Sequence, residues 1–168
     1  MKLAIISDIH DNLANLEKFL FTFAESSGET KDVGIICCGD VTTPETLNWL
    51  TERFKGPIKL ACGNTEIRRE EFPEIAGSHN NLEIFAEVGD WAIEGLKIAF
   101  LHRPNKVEKL AKTGQYRFIF YGHTHKPWIS QLGETFMANP GTLGGVFTAP
   151  TFAMLDTKTG RLELKKLY

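Results

Sequence analysis

The chain has 168 residues, of which 42% are apolar and 24% charged, with 19 basic and 21 acidic residues. These proportions exclude a disordered chain, and a net charge of −2 disfavours a protein whose main partner is nucleic acid. Three cysteines, an odd number, cannot form a complete set of disulfides. We therefore expect a reduced, cytoplasmic protein.

One segment must be tested as a possible membrane span. Residues 135–155 carry no charge, but they include two prolines and three glycines, which spanning helices tolerate poorly at this density. The first residues, up to Ser7, are too few for the apolar core of a signal peptide. We expect a soluble protein without membrane contacts.

Short apolar runs alternate with helical patterns in the first half of the chain, which is typical of an α/β fold. The apolar residues Leu13, Leu16, Leu20 and Phe23, for example, share one helical face. The predicted elements are a strand at 2–6, a helix at 12–25, a strand at 33–38, a helix at 43–54, a strand at 58–62 and a charged short helix or surface loop at 66–72.

Strands follow one another closely in the second half. They are predicted at 82–85, 91–93, 96–101, 117–121, 128–132, 136–138, 151–155 and 162–167, with one helix at 107–112. We find no internal repeat and no linker in the sequence. One domain over residues 1–168, containing two packed sheets, is the expected organisation.

Five of the predicted strands end in polar residues that commonly bind metals. The carboxyl ends of strands line the ligand-binding crevice of an open α/β sheet, so we expect these side chains to converge. Residues two apart on extended chain point the same way, so each pair can reach one site. The residues are Asp8 with His10, Asp40, Asn64, His102, and His123 with His125.

The types of these residues indicate which metal ions the site would prefer. Two carboxylates, four imidazoles and one amide oxygen, without a thiolate, suit Mn²⁺, Fe²⁺, Ni²⁺ or Zn²⁺. Seven ligands exceed the needs of one ion but suit two ions that share a carboxylate. Such a pair can activate water and hold both oxygens of an in-line displacement at phosphorus.

The series Asp8-x-His10, Gly39-Asp40, Gly63-Asn64, His102 and Gly122-His123-x-His125 resembles the calcineurin-like metallophosphoesterase superfamily. The short chain and the Asn-Pro-Gly-Thr sequence at 139–142 resemble its small single-domain prokaryotic phosphodiesterase branch. The resemblance implies a four-layer α/β/β/α sandwich, with two mixed sheets flanked by helices.

The resemblance also implies roles for the residues. One ion would be held by Asp8, His10, Asp40 and His125. The other would be held by Asp40 as the bridge, with Asn64, His102 and His123. Asp40, Asn64 and His102 are the expected catalytic residues, with a hydroxide that bridges the two ions as the nucleophile.

The expected function is a phosphodiesterase that hydrolyses P–O bonds of small phosphate esters, with two divalent ions as cofactors. Mn²⁺ is the favoured ion, and Ni²⁺, Fe²⁺ and Zn²⁺ are the alternatives. Two other functions stay open on the same site. One is a phosphomonoesterase, and the other is a metal-binding protein-interaction scaffold of the retromer-subunit type.

Roles or positions are also predicted for four residues near these motifs. Thr65 stands where the family usually has His or Cys, and its role is therefore doubtful. Arg103 is a candidate contact for the substrate phosphate, with an ordinary surface arginine as the alternative. Glu66 is placed beside the metal ligands. Trp128 is expected to pack in the core, with a wall of the substrate pocket as the alternative.

Overall fold

Eleven β-strands and four α-helices make up the computed structural model, which describes residues 1–28, 30 and 32–168. The strands are β1 (Lys2–Ile6), β2 (Val33–Cys37), β3 (Ile58–Ala61), β4 (Leu82–Phe85), β5 (Val88–Ile93), β6 (Leu96–Leu101), β7 (Phe118–Tyr121), β8 (Trp128–Leu132), β9 (Thr135–Asn139), β10 (Thr151–Asp156) and β11 (Arg161–Lys166). The helices are α1 (Leu13–Ser27), α2 (Pro44–Arg53), α3 (Phe72–Ser78) and α4 (Val107–Lys112). Short 3₁₀ turns at Arg69–Glu71 and Pro104–Lys106 precede α3 and α4.

The strands form two mixed sheets. The larger sheet has the order β11-β10-β1-β2-β3-β4, and the smaller one has the order β5-β6-β7-β9-β8. Strands β1 to β4 are parallel neighbours, as are β6, β7 and β9. Because parallel strands end at the same edge, the loops that follow β1, β2 and β3 lie together, and so do those that follow β6 and β7.

The core has three parts, one between each pair of adjacent layers. On β1, Ala4 and Ile6 pack under the helices α1 and α2, whereas Leu3 and Ile5 face the second sheet. This alternation follows from the pleat of a strand that is buried on both faces. On the outer face of the second sheet, Ala99 on β6 packs with Val107 on α4. The predicted four-layer sandwich is therefore confirmed.

Two helices are tied to the strand ends by their amino-terminal caps. The Asn12 side chain accepts a hydrogen bond from the backbone N–H of Asn15 at 3.0 Å and begins α1. Thr43 caps α2 in the same way, with Pro44 in the first turn. Asp11 Oδ1 accepts hydrogen bonds from the Thr43 backbone and hydroxyl, which joins the loop after β1 to the start of α2.

The structure corrects three of the sequence predictions. The segment predicted as a short helix or surface loop at 66–72 contains the 3₁₀ turn Arg69–Glu71, and the helix α3, which begins at the buried Phe72, was not predicted. Strand β5 begins at Val88 rather than at residue 91. The core position predicted for Trp128 is wrong: its side chain is 61% exposed, because β8 is an edge strand.

The longest helix of the described residues is α1, with 15 residues. None of the helices in the described ranges combines the length and the apolar character that crossing a membrane requires.

Candidate metal centre

The seven predicted ligands lie in loops that follow five strands of the two sheets. Five of the seven have a backbone φ in the left-handed region, which side chains other than glycine rarely adopt. These residues are Asp8 (54°), His10 (48°), Asp40 (55°), His123 (71°) and His125 (58°). Strained backbone of this kind clusters at functional sites, where the surrounding structure holds it in place. Here the strain turns the side chains out of the strand ends toward one another.

One group of side chains joins the loop after β1 to the loop after β7. His10 Nε2 lies 3.2 Å from His125 Nε2, and His125 Nε2 lies 3.2 Å from Asp8 Oδ1. One ligand atom from each of the three residues lies within 4.8 Å of the others, so a single ion could contact all three. Asp8 is fully buried, and both histidines are partly exposed.

A second group forms around His102 at the end of β6. Its Nε2 atom lies 3.0 Å from Asn64 Oδ1, 3.2 Å from His123 Nδ1 and 3.4 Å from Asp40 Oδ2. His102 is buried, whereas Asn64 and His123 face the solvent. The groups that could hold a cation here include Asp8, Asp40 and His102.

The Asp40 carboxylate stands between the two groups. Its Oδ1 atom accepts hydrogen bonds from the backbone N–H groups of Asn64 at 2.8 Å and Thr65 at 3.0 Å. Its Oδ2 atom lies 4.0 Å from His10 Nε2 on one side and 3.4 Å from His102 Nε2 on the other. One oxygen is therefore held by the backbone, while the other faces both groups.

The tautomers of two rings follow from their hydrogen bonds. His102 Nδ1 lies 2.8 Å from the carbonyl oxygen of Cys38, and His125 Nδ1 lies 3.3 Å from that of Val146. A carbonyl only accepts, so each Nδ1 donates its proton to the carbonyl and each ring turns its Nε2 atom toward the centre. The Nε2 atoms of His102 and His125 thus face the carboxylate oxygens of Asp40 and Asp8. A cation would satisfy this arrangement.

A buried acceptor points to the same conclusion. Asp8 Oδ2 accepts a hydrogen bond from the His123 backbone at 3.1 Å, but Asp8 Oδ1 is buried without a hydrogen-bond donor among the described residues. Burial raises the pKa of the Asp8 carboxyl, and the Asp40 carboxylate adds to this effect. A bound cation would stabilise the charged form. The donor set and this unpaired oxygen therefore fit divalent metal ions.

Glycines at two of the motifs are required by close contacts. A Cβ atom at position 63 would lie 2.0 Å from Asp40 Oδ1, and one at position 122 would lie 1.9 Å from the Ser7 hydroxyl. Any larger residue would displace a carboxylate or the loop that carries it. The Gly-Asn and Gly-His pairs therefore follow from the packing of these loops.

Neighbouring polar side chains hold the loops. Glu66 Oε1 accepts a hydrogen bond from the Asp40 backbone at 2.8 Å, which confirms the position predicted for Glu66. Asn139 donates to the Gly122 carbonyl at 2.8 Å, and the Thr142 hydroxyl donates to the Asp8 carbonyl at 2.8 Å. The Asn-Pro-Gly-Thr segment thus ties the loop after β7 to the loop after β1.

The remaining predicted residues lie at the edge of the centre. Thr65 is half-buried, and its hydroxyl lies 3.3 Å from the hydroxyl of Thr42. Arg103 is exposed and directly follows His102. Phe147, which the sequence reasoning missed, is 94% exposed, and its ring centroid lies 6.2 Å from that of His125. The sequence also did not single out Arg69, which lines a pocket together with His102. This arginine lies in the charged segment at 66–72, which resembles an ordinary solvated face.

Comparison with known proteins defines the class to which this fold and centre belong. The chain belongs to the calcineurin-like phosphoesterase superfamily, whose domain model matches residues 1–160. A curated relative is Phosphodiesterase MJ0936 of Methanocaldococcus jannaschii, 30% identical over 161 residues, with 94% of each chain covered. Another is Phosphodiesterase YfcE of Escherichia coli K12, 29% identical over 168 residues, with 93% of this chain and 88% of the relative covered. The predicted class, a metal-dependent phosphoesterase, is confirmed.

Solved structures are consistent with membership of this superfamily. An archaeal phosphodiesterase superposes with a TM-score of 0.88 and 27% identity, covering 99% of this chain and all of its own. Vps29 of Chaetomium thermophilum shares the fold, with a TM-score of 0.68, 16% identity, and coverage of 98% of this chain and 95% of its own. The same sandwich thus occurs in an enzyme and in a vacuolar sorting protein, so the side chains of the site must decide the activity.

Proposed function

We propose that this chain hydrolyses phosphodiesters at the centre formed by Asp8, His10, Asp40, Asn64, His102, His123 and His125. The observation that carries the proposal is the position of Asp40. Its Oδ2 atom faces both groups of ligands, while two backbone N–H groups hold its Oδ1 atom. A carboxylate held in this way is suited to bridge two cations.

The residues divide between two proposed ion sites. Asp8, His10, Asp40 and His125 would hold one ion, and Asp40, Asn64, His102 and His123 would hold the other. Oxygen and imidazole donors without thiolate favour Mn²⁺, with Ni²⁺, Fe²⁺ or Zn²⁺ as alternatives. When bound, two such ions supply an activated water near neutral pH and positive charge at the phosphoryl oxygens.

Hydrogen bonds within the protein orient the proposed metal ligands, and one arginine is placed to contact the substrate. The hydrogen bond from His102 Nδ1 to Cys38 keeps this ring in one tautomer and one direction, as supporting groups commonly do for metal-binding histidines. Two N–H groups fix the plane of the Asp40 carboxylate. Arg103 adjoins His102 on the exposed side, where its guanidinium can contact a phosphate group of the substrate.

The proposal is tested by hydrolysis of bis-p-nitrophenyl phosphate before and after chelation. We expect chelation to abolish the release of p-nitrophenolate and added Mn²⁺ to restore it. p-Nitrophenyl phosphate, measured in parallel, distinguishes the phosphomonoesterase alternative, since that enzyme would favour the monoester. No metal-dependent hydrolysis of either ester would overturn the enzymatic function and favour the scaffold.

A further inference from the structure

A pocket of about 400 Å³ adjoins the His102 side of the candidate metal centre. His102 and Gly63 belong both to the centre and to the pocket wall, so a substrate at the centre can extend into the pocket. Two arginines, Arg69 and Arg103, line the same space. The pocket thus opens at the proposed site of phosphoester hydrolysis and carries two guanidinium groups.

Arg69 is held in place across the ends of two strands. Its guanidinium donates a hydrogen bond to the carbonyl of Ala86, just beyond β4, at 2.7 Å. Cys62, just beyond β3, lines the same pocket as Arg69. A guanidinium fixed in this way loses little conformational entropy when it binds a ligand.

The one acidic residue among the lining residues of this pocket, Glu87, does not neutralise the two arginines. Its carboxylate pairs with Lys106 at 2.6 Å. Among residues 1–28, 30 and 32–168, no ion pair within 4 Å includes Arg69 or Arg103. The pocket therefore has two guanidinium groups whose charge is available to a ligand, although the chain as a whole has a net charge of −2.

We infer that this pocket binds a second anionic group, a phosphate or a carboxylate, on the organic substituent of the diester. The inference rests on the proposed function and adds a substrate class to it. A planar guanidinium donates paired hydrogen bonds to such a group and makes it a stronger ligand than a neutral substituent.

Two probe esters that differ only in the second anion test this inference. One is the p-nitrophenyl ester of thymidine 5′-phosphate, and the other is the same ester with an added 3′-phosphate. Both release p-nitrophenolate, so the chemistry at the scissile bond is matched. We expect kcat/KM of the Mn²⁺-loaded protein to be at least tenfold higher for the ester with the 3′-phosphate.

Variants of the two arginines test whether the preference for the ester with the 3′-phosphate arises in this pocket. Arg69→Gln and Arg103→Gln should each reduce the ratio of the two kcat/KM values at least threefold, and the double variant should bring the ratio close to one. Arg161→Gln, on β11, also removes one guanidinium charge but lies outside the pocket, so it should leave the ratio unchanged.

Two further measurements do not depend on the variants. Added NaCl should shrink the preference of the parent protein, because the second contact is electrostatic. Calorimetry of the parent protein should show tighter binding of thymidine 3′,5′-bisphosphate than of thymidine 5′-phosphate.

The outcomes separate this inference from the proposed function. Equal kcat/KM for the two esters in the parent protein would overturn the inference and leave the phosphodiesterase function intact. A preference that survives in the double Arg69→Gln, Arg103→Gln variant would also overturn it. Hydrolysis of neither ester by a protein that hydrolyses bis-p-nitrophenyl phosphate would overturn the inference alone.

Discussion

The variant Asp40→Asn should lose at least about a hundredfold of the metal-dependent hydrolysis of bis-p-nitrophenyl phosphate, since even partners that only support metal ligands commonly contribute 10- to 100-fold. The amide keeps one oxygen for the N–H groups of Asn64 and Thr65, but it replaces the proposed bridging oxygen by a poor metal ligand. The charge that would hold two cations together is therefore removed while the shape is kept.

Asp40→Asn should affect the stability of the fold much less than the activity. Asp40 and Asp8 are both buried, and their like charges disfavour each other without metal. We therefore expect the free energy of unfolding of the chelated protein to stay within about 1 kcal/mol of the parent or to rise. Denaturant titration measures this quantity. Asp90→Asn, at an exposed position on β5, is the matched control and should retain full activity. Full activity in Asp40→Asn would contradict the bridging role.

The variant Thr65→His should accelerate hydrolysis of diesters with alkoxide leaving groups by about tenfold or more, since proton donation typically contributes roughly 10²–10⁴-fold. Thr65 lies next to the proposed bridging residue, and its backbone N–H donates to Asp40 Oδ1 at 3.0 Å. Its hydroxyl is too weak an acid to protonate a leaving oxygen near neutral pH, whereas histidine titrates in that range. p-Nitrophenolate leaves without a proton, so its release should change little.

A series of diesters with leaving groups from p-nitrophenolate to an alkoxide measures this effect. The parent rate should fall steeply as the pKa of the leaving group rises, and Thr65→His should flatten the dependence. Metal content is measured in both proteins, and Thr159→His, in the exposed turn after β10, is the control for an added histidine. A parent rate that is insensitive to the leaving group would contradict the role assigned to Thr65.

The convergence of the candidate metal ligands could be predicted because these residues occupy fixed places relative to strands. Asp8, Asp40 and His102 each follow a buried apolar run, and parallel strands bring such positions to one edge. The residue types then indicated a metal without any knowledge of the fold. The burial of β1 and the presence of two packed sheets followed from the same apolar runs, whereas the four layers were implied by the resemblance to the family.

Other features depend on contacts that local sequence does not show. The exposure of Trp128 depends on β8 lying at the edge of its sheet, which is decided by strand order. Arg69 resembles any surface arginine until the ends of β3 and β4 place it beside His102 in one pocket. Recognition of the substrate therefore had to be inferred from the assembled structure, whereas the chemistry could be inferred from the sequence.

Two cation sites that share Asp40 are tested most directly by anomalous scattering from crystals of the Mn²⁺-loaded protein, together with elemental analysis of the same sample. We predict two ions per chain on either side of Asp40 Oδ2, one beside His10 and His125 and the other beside His102 and His123. A single ion per chain, with His102 and His123 not in contact with metal, would contradict the two-metal centre.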